Sequence, residues 1–295
     1  MKERQEQCES WKVTDMQIPG RERFTDLLKW LAEEQYRIFN QKFVLTNHNP
    51  MLGVKVPKMR GIAKEIVAGG SWREFLAGYG FYVLQGGEMD SKLCRKTGDG
   101  LLACKQPVQQ SGSPDTVRSI CRGVFFEEIM IIGMVINQAP MESQERLRLV
   151  ELFVPLIDNW AVCDVFCGGT KWVAGPGKGP RGRNNVPLEE MWGFLQKYLS
   201  GREEFEIRFG EVMLMCRFLN EKYLPRVFEV LKSVEFGAYY VDMAVAWCLA
   251  TARAKFDVPV QEFVAGAGLP AGVVKKYEQK VRDSLRIRKM ASSRQ

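Results

Sequence analysis

The sequence predicts an all-α protein, a HEAT-like helical-repeat superhelix with a concave, positively charged cleft. Three observations predict it. Apolar residues recur at i, i+3, i+4 and i+7, as in Leu147, Val150, Phe153, Val154 and Ile157, the spacing of one helix face. Alternating strand patterns flanked by hairpin turns are absent from the sequence. The periodic stretches are short, with proline or glycine near their junctions (Pro155, Pro225, Gly237). Successive pairs occupy roughly 35–40 residues, the size of a HEAT unit.

Taken in order, the apolar spacing predicts helices over Arg21–Phe39, Pro57–Ala68, Trp72–Leu84, Phe125–Asn137 and Ser143–Ile157. A further helix starts in the string Asp158-Asn159-Trp160-Ala161-Val162-Cys163-Asp164, with Asp158 a natural N-cap near the positive helix end. Leu188–Leu199, Glu204–Leu219, Tyr223–Val234, Tyr239–Lys255 and Ala271–Arg288 complete the series. Two stretches interrupt it. Gly86–Gly123 has scattered glycines, Pro114 and no convincing apolar face, and reads as an insertion. Gly168–Pro187, with Pro176 and Pro180, reads as a glycine-rich basic loop. The pattern resumes unchanged after each, so residues 1–295 read as one domain with a flexible N-terminus over 1–20 and a basic helix and tail over 271–295.

Composition narrows the function classes. Hydrophobic residues make up 46% and charged residues 26% of the 295, a globular balance that excludes wholesale disorder. The longest apolar run, Ile129–Ile136, falls far short of the ~20 residues of a membrane span. Met1–Ser10 is charged, with no apolar run behind it, so no secretory signal is visible. A soluble, cytoplasmic monomer is expected. The eight cysteines then read as reduced thiols. Only Cys163 and Cys167 are close, and the single histidine, His48, lies in the turn-like Thr46-Asn47-His48-Asn49-Pro50. No metal site and no cofactor are expected, nor a nucleophile that relies on a histidine base.

The net charge of +7 is unevenly spread. Ala271–Gln295 holds Lys275, Lys276, Lys280, Arg282, Arg286, Arg288, Lys289 and Arg294 against only Glu278 and Asp283. Lys171–Arg183 carries Lys171, Lys178, Arg181 and Arg183 with no acid. Phosphate binding is one reading of both; a solvated helix and a loop is the other. Among apolar neighbours, Asp164 lies one turn beyond Trp160 on the same helix face, and Arg208 sits in Phe205-Glu206-Ile207-Arg208-Phe209. An aspartate in a helix interior is locally unfavourable, so another group must account for it. Pairing with a neighbouring helix's arginine is one account. A cleft lined by a carboxylate, an arginine, Trp160 and Trp247 is the other.

Several strings resemble the AlkD-like DNA alkylation repair proteins. They are Leu52-Gly53-Val54-Lys55-Val56-Pro57-Lys58-Met59-Arg60-Gly61-Ile62-Ala63-Lys64, Phe126-Glu127-Glu128-Ile129-Met130, Ile157-Asp158-Asn159-Trp160-Ala161-Val162-Cys163-Asp164, Phe205–Phe209 and Tyr239-Tyr240-Val241-Asp242-Met243-Ala244-Val245-Ala246-Trp247. The resemblance runs in order over about Phe24–Arg288. It implies a HEAT-like-repeat glycosylase that releases cationic N3- and N7-alkylpurines from double-stranded DNA. Asp164 matches the catalytic aspartate, Trp160 and Trp247 the cleft tryptophans, and Arg208 a phosphate-contacting arginine. The sequence departs from active members over Gln41–Pro50, where an aromatic, basic helix would enter the minor groove; here the Thr-Asn-His-Asn-Pro end reads as a loop. A weakly active or non-catalytic DNA-binding paralogue and a HEAT-type protein scaffold are therefore kept as alternatives.

If DNA is the partner, affinity falls steeply with salt, because each neutralised phosphate releases counterions. Neutralising Lys171, Lys178, Arg181 and Arg183 together is expected to weaken binding alike for all DNA sequences. Salt titrations of wild type and variant check this; binding that ignores ionic strength contradicts it.

Overall fold

A computed structural model describes residues 21–46, 48–84, 108–109, 112–174 and 185–284. These residues form fourteen α-helices. The only ladder among them is two residues long: β1 (Val83–Leu84) pairs antiparallel with β2 (Val108–Gln109). An isolated bridge joins Val173 to Val186. The protein is all-α, as its periodicity predicts. No described helix is long and apolar enough to cross a membrane. Contacts divide the chain into two compact units, Met1–Asp158 and Asn159–Gln295.

The first unit contains α1 (Arg21–Leu31), α2 (Glu34–Asn40), α3 (Val56–Ala68), α4 (Trp72–Ala77), α5 (Pro114–Cys121), α6 (Phe126–Gln138) and α7 (Ser143–Phe153). Its centre is α6, where every residue from Phe126 to Ile136 is buried. A helix apolar all round belongs inside a core, and α3 covers it with Met59, Ile62, Ala63 and Ile66. Burial leaves both helix ends to be satisfied by protein groups. At the start, the Pro50 carbonyl accepts the Phe126 N–H at 2.9 Å, and the Glu127 carboxylate accepts N–H groups from outside the helix, those of Leu52 at 3.0 Å, Gly53 at 2.7 Å and Val54 at 3.1 Å. Glu128 accepts the Phe125 N–H at 2.8 Å, the Tyr79 hydroxyl at 2.8 Å and the Thr25 hydroxyl at 3.3 Å. At the far end, the Arg146 guanidinium donates to the carbonyls of Ile136 and Ala139. Gly53 is required in this arrangement: its φ is +99°, and an added Cβ would stand 2.6 Å from the Glu33 carbonyl oxygen.

Several expected boundaries move. The stretch Arg21–Phe39 is two helices, because the Glu33 N–H leaves the helical ladder to donate to Gly53 O at 3.1 Å. Trp72–Leu84 stops at Ala77, where Gly80 takes the left-handed φ of +81°. Ser143–Ile157 ends as α-helix at Phe153 and finishes in a 3-10 turn around Pro155. Asp158 is not the N-cap: Asn159 is, its side chain accepting the Val162 N–H at 3.0 Å. The Asp158 carboxylate instead accepts the His48 N–H at 3.2 Å. Gly86–Gly123 is not wholly a featureless insertion, because α5 lies within it. Ser113 caps α5, Pro114 opens it, and Val117 and Cys121 are buried; residues 85–107 and 110–111 lie outside those described. Residues 41–46 and 48–50 carry no helix. Asn49 fixes this segment by donating to the carbonyls of Cys121 and Val124.

The second unit contains α8 (Trp160–Gly169), α9 (Leu188–Leu199), α10 (Glu204–Arg217), α11 (Leu224–Leu231), α12 (Tyr239–Arg253), α13 (Asp257–Gly266) and α14 (Ala271–Asp283). Alternate helices pack in a row: α8 on α10, α10 on α12, and α12 on α14. The middle members are the most buried, with Ile207–Leu214 continuous in the interior of α10. Gly210 lets α9 approach closely, since a Cβ there would meet the Leu199 side chain at 2.7 Å. The unpredicted α13 buries only Val260 and carries Pro259 in its first turn, where proline is tolerated. It is held by Phe263, which stacks on Phe228 of α11 with centroids 4.3 Å apart.

Replacing Glu127 by Ala strands three buried or half-buried N–H groups, each costing ~1–3 kcal/mol. A loss of about 3 kcal/mol or more is expected in urea unfolding. Glu229→Ala, which removes one member of an exposed pair with Lys232, is expected to change stability by less than about 0.5 kcal/mol.

Candidate functional site

The Asn159 cap sets where α8 begins, and so places Trp160 in its first turn and Asp164 one turn further on the same face. Asp164 faces Arg208 of α10. The guanidinium binds the carboxylate in a fork: Nη2 donates to Oδ1 at 2.9 Å and Oδ2 at 3.0 Å, and Nε to Oδ1 at 3.3 Å. The remaining Nη1 donates to the Tyr240 carbonyl of α12 at 3.0 Å. Arg208 thus ties three successive members of the helix row. The Arg208 side chain is 4% exposed and that of Asp164 19%, so the pair is sealed on the arginine side and partly open on the carboxylate side.

Burial sets the electrostatics. It raises the Asp164 carboxyl above its ordinary value, against the opposing pull of Arg208 and Lys280. Burial alone would lower Arg208, but Cys163, Asp164 and Glu211 reverse the sign and leave it raised. One turn beyond Arg208, Glu211 is fully buried and neither carboxyl oxygen has a hydrogen-bond partner. Burial pushes it well above the carboxylate range, with Arg208 opposing and Cys163 and Asp242 adding to the rise. Glu211 sits beside the ion pair with its carboxyl shifted toward the protonated form. The neighbouring thiols are protonated: burial raises Cys167 and Cys248, and lifts Cys216 to about 11. Protonated thiols are poor nucleophiles and poor metal ligands, and among the described residues no His/Cys/Asp/Glu group is placed to hold a metal ion.

Of the residues singled out in the sequence, Asp164 and Arg208 are in contact. Trp160 is half-buried on the face of Asp164; Trp247, also half-buried, lies two turns along α12 from Tyr240 on one face. Arg208 gives its donors to Asp164 and the Tyr240 carbonyl. Lys171 is exposed just beyond α8. Lys178, Arg181 and Arg183 lie outside the described residues. Sequence reasoning missed Glu211 and Asp242 and the part played by Tyr240, and it named Lys276 and Lys280 only as members of the basic C-terminal stretch. The Tyr240 N–H donates to the Glu204 carboxylate at 2.7 Å, and its ring meets Phe205 and Tyr239, each at 5.1 Å. Lys276 of α14 binds Asp242 at 3.2 Å. The only available signal for Glu211 was an acid in an apolar helical run, which is also how Asp164 was found.

Compared with models of known families, with curated proteins and with solved structures, the chain matches none of them.

A raised carboxyl has a definite pH consequence. From about 4.5, the ordinary glutamate value, up to its native value, folded Glu211 holds a proton that the unfolded chain has lost. Stability contributed by this group therefore falls as pH rises through that window. Glu211→Gln, a neutral isostere, is expected to match wild type in melting temperature at about pH 5 and to exceed it at about pH 8. Parallel melting curves across that range would contradict a buried neutral Glu211.

Proposed function

We propose that this protein is a DNA alkylation repair glycosylase of HEAT-like architecture, acting on double-stranded DNA to release cationic N3- and N7-alkylpurines. The observation that carries the reading is the Asp164 carboxylate, fixed by a buried arginine yet partly open beside Trp160. The row of alternate helices α8, α10, α12 and α14 supports the repeat architecture, and the sequence resemblance supports the chemistry.

The chemistry asks little of the protein. An alkylated purine already carries positive charge, so the N-glycosidic electron pair leaves with it and no acid need protonate the base. The deoxyribose becomes oxocarbenium-like, and water adds to the anomeric carbon and loses a proton. A preorganised carboxylate stabilises that cation and orients the water. Arg208 holds the carboxylate in one rotamer, so little reorganisation accompanies the developing charge. Trp160 and Trp247 offer π faces to a cationic base or sugar.

The same fork favours a second reading. A bidentate arginine offsets the charge of Asp164, as a non-catalytic DNA-binding paralogue would tolerate. Asp164→Asn discriminates, because asparagine keeps an oxygen acceptor for Arg208 while removing the negative charge. Glycosylase action predicts single-turnover base release from DNA containing N7-methylguanine slowed by about 10²-fold, ~2.7 kcal/mol of barrier, with DNA affinity and melting temperature nearly unchanged. A folded variant with wild-type release rates removes the catalytic role. A wild type that releases no base at any enzyme excess removes the catalytic reading.

A further inference from the structure

Tyr239 opens α12 after a turn that only glycine makes easily: Gly237 has a φ of +113°, and its N–H donates to Asp242 Oδ1 at 3.1 Å. The other Asp242 oxygen accepts Lys276 Nζ at 3.2 Å, which brings that ammonium 5.6 Å from the centre of the Tyr239 ring. One turn further along α14, Lys280 acts electrostatically on Asp164. Lys276 and Lys280 thus share one face of α14, with the Tyr239 ring beside Lys276.

The ring is unusually open. Tyr239 is 58% exposed, while Tyr240 beside it packs on Phe205 and against the Arg208 guanidinium. The other large apolar side chain exposed in this unit, among the described residues, is Val258 on α13. Tyr239 thus does not belong to an apolar patch of the kind that docks a protein. The helix beside it is net basic: α14 carries Lys275, Lys276, Lys280 and Arg282 against Glu278 and Asp283, with Lys276 shared between the ring and Asp242. An open ring edged by one ammonium, with a second lysine one turn along the same helix, suits a base that stacks and a phosphate that pairs.

We infer that Tyr239, Lys276 and Lys280 form a nucleotide-binding strip that takes one unstacked base of a DNA strand and the phosphate beside it. Tyr239 supplies the stacking surface, and the lysines supply sequence-independent charge. This rests on the proposed glycosylase reading for its partner and deepens it: the preferred substrate is DNA whose stack is interrupted near the lesion. Asp242 acts here as a positioning residue, through Lys276.

The test uses the full chain and three fluorescein-labelled probes: an intact duplex, the same duplex with a one-nucleotide bulge, and its single strand. Tyr239→Ala is expected to weaken binding to the bulged and single-stranded probes about tenfold, ~1.4 kcal/mol. Intact duplex should change by less than about twofold, and melting temperature should not change. Tyr239→Phe, which keeps the ring, should bind like wild type. Lys280→Gln should weaken all three probes and lower the salt slope by about one. Unchanged binding of Tyr239→Ala to every probe overturns the strip, as does an equal loss in Tyr239→Phe. Tyr239-dependent binding without base release overturns the catalytic reading alone. Base release indifferent to Tyr239 overturns the strip alone, and a wild type that binds no DNA overturns both.

Discussion

The second unit is organised around one buried cation. Taking a guanidinium out of water costs several kcal/mol even after relaxation, and Arg208 of α10 recovers this only through partners on its two neighbours. Asp164 of α8 supplies the countercharge and Tyr240 of α12 a carbonyl. Those partners lie 44 residues before it and 32 after it, so a change in register of any one helix leaves a charge unpaired. A pair of this kind contributes little net stability, yet removing one member typically costs ~3–5 kcal/mol. The pair therefore fixes how α8, α10 and α12 sit against each other, which is what a site built across three helices requires. Glu211, in the same helix, shows the alternative: a buried carboxyl with no hydrogen-bond partner is pushed toward its protonated form.

In the first unit the same constraint appears at helix ends. Because α6 is submerged along its length, water cannot reach its terminal N–H and C=O groups. Glu128 and Arg146 do what water would otherwise do at the two ends, Glu127 in the first turn accepts the 52–54 backbone, and Glu128 also recruits Tyr79 and Thr25. This gives the Phe126-Glu127-Glu128 and Leu52-Gly53-Val54 strings a common cause. One supplies acceptors, and the other supplies three N–H groups in a turn that needs glycine.

Much of this was legible in the sequence, and what was not has a physical reason. Periodic apolar spacing finds a helix that buries a wide face, so α3, α6, α9 and α10 were plain. It fails where burial is thin: α13 covers only Val260 and α5 only Val117 and Cys121. It also ran through breaks made by distant groups, as at Glu33, whose N–H partner is Gly53. The candidate site behaved likewise. Asp164 and Arg208 stood out as charges among apolar residues, but their mutual contact is a tertiary fact that local spacing does not encode. Tyr239 carries no local anomaly at all, since an exposed tyrosine at a helix start is ordinary until Lys276 is placed beside it.

Whether the ion pair helps or hinders a cationic reaction is a question of distances. With an effective dielectric of about 20, a sugar cation about 4 Å from Asp164 gains ~4 kcal/mol, and Arg208 at about 8 Å takes back ~2 kcal/mol. The remainder, ~2 kcal/mol, is worth about 30-fold in rate. A carboxylate without the arginine would offer more charge, but burial would then push it further toward its protonated form. Arg208 therefore weakens the field that a substrate would feel while keeping Asp164 ionised and oriented. This sets the ceiling on what the pair as a whole contributes; Asp164→Asn, which leaves Arg208 in place, forfeits more than this remainder. Any larger acceleration has to come from holding the cationic base and sugar in place, the task open to Trp160 and Trp247.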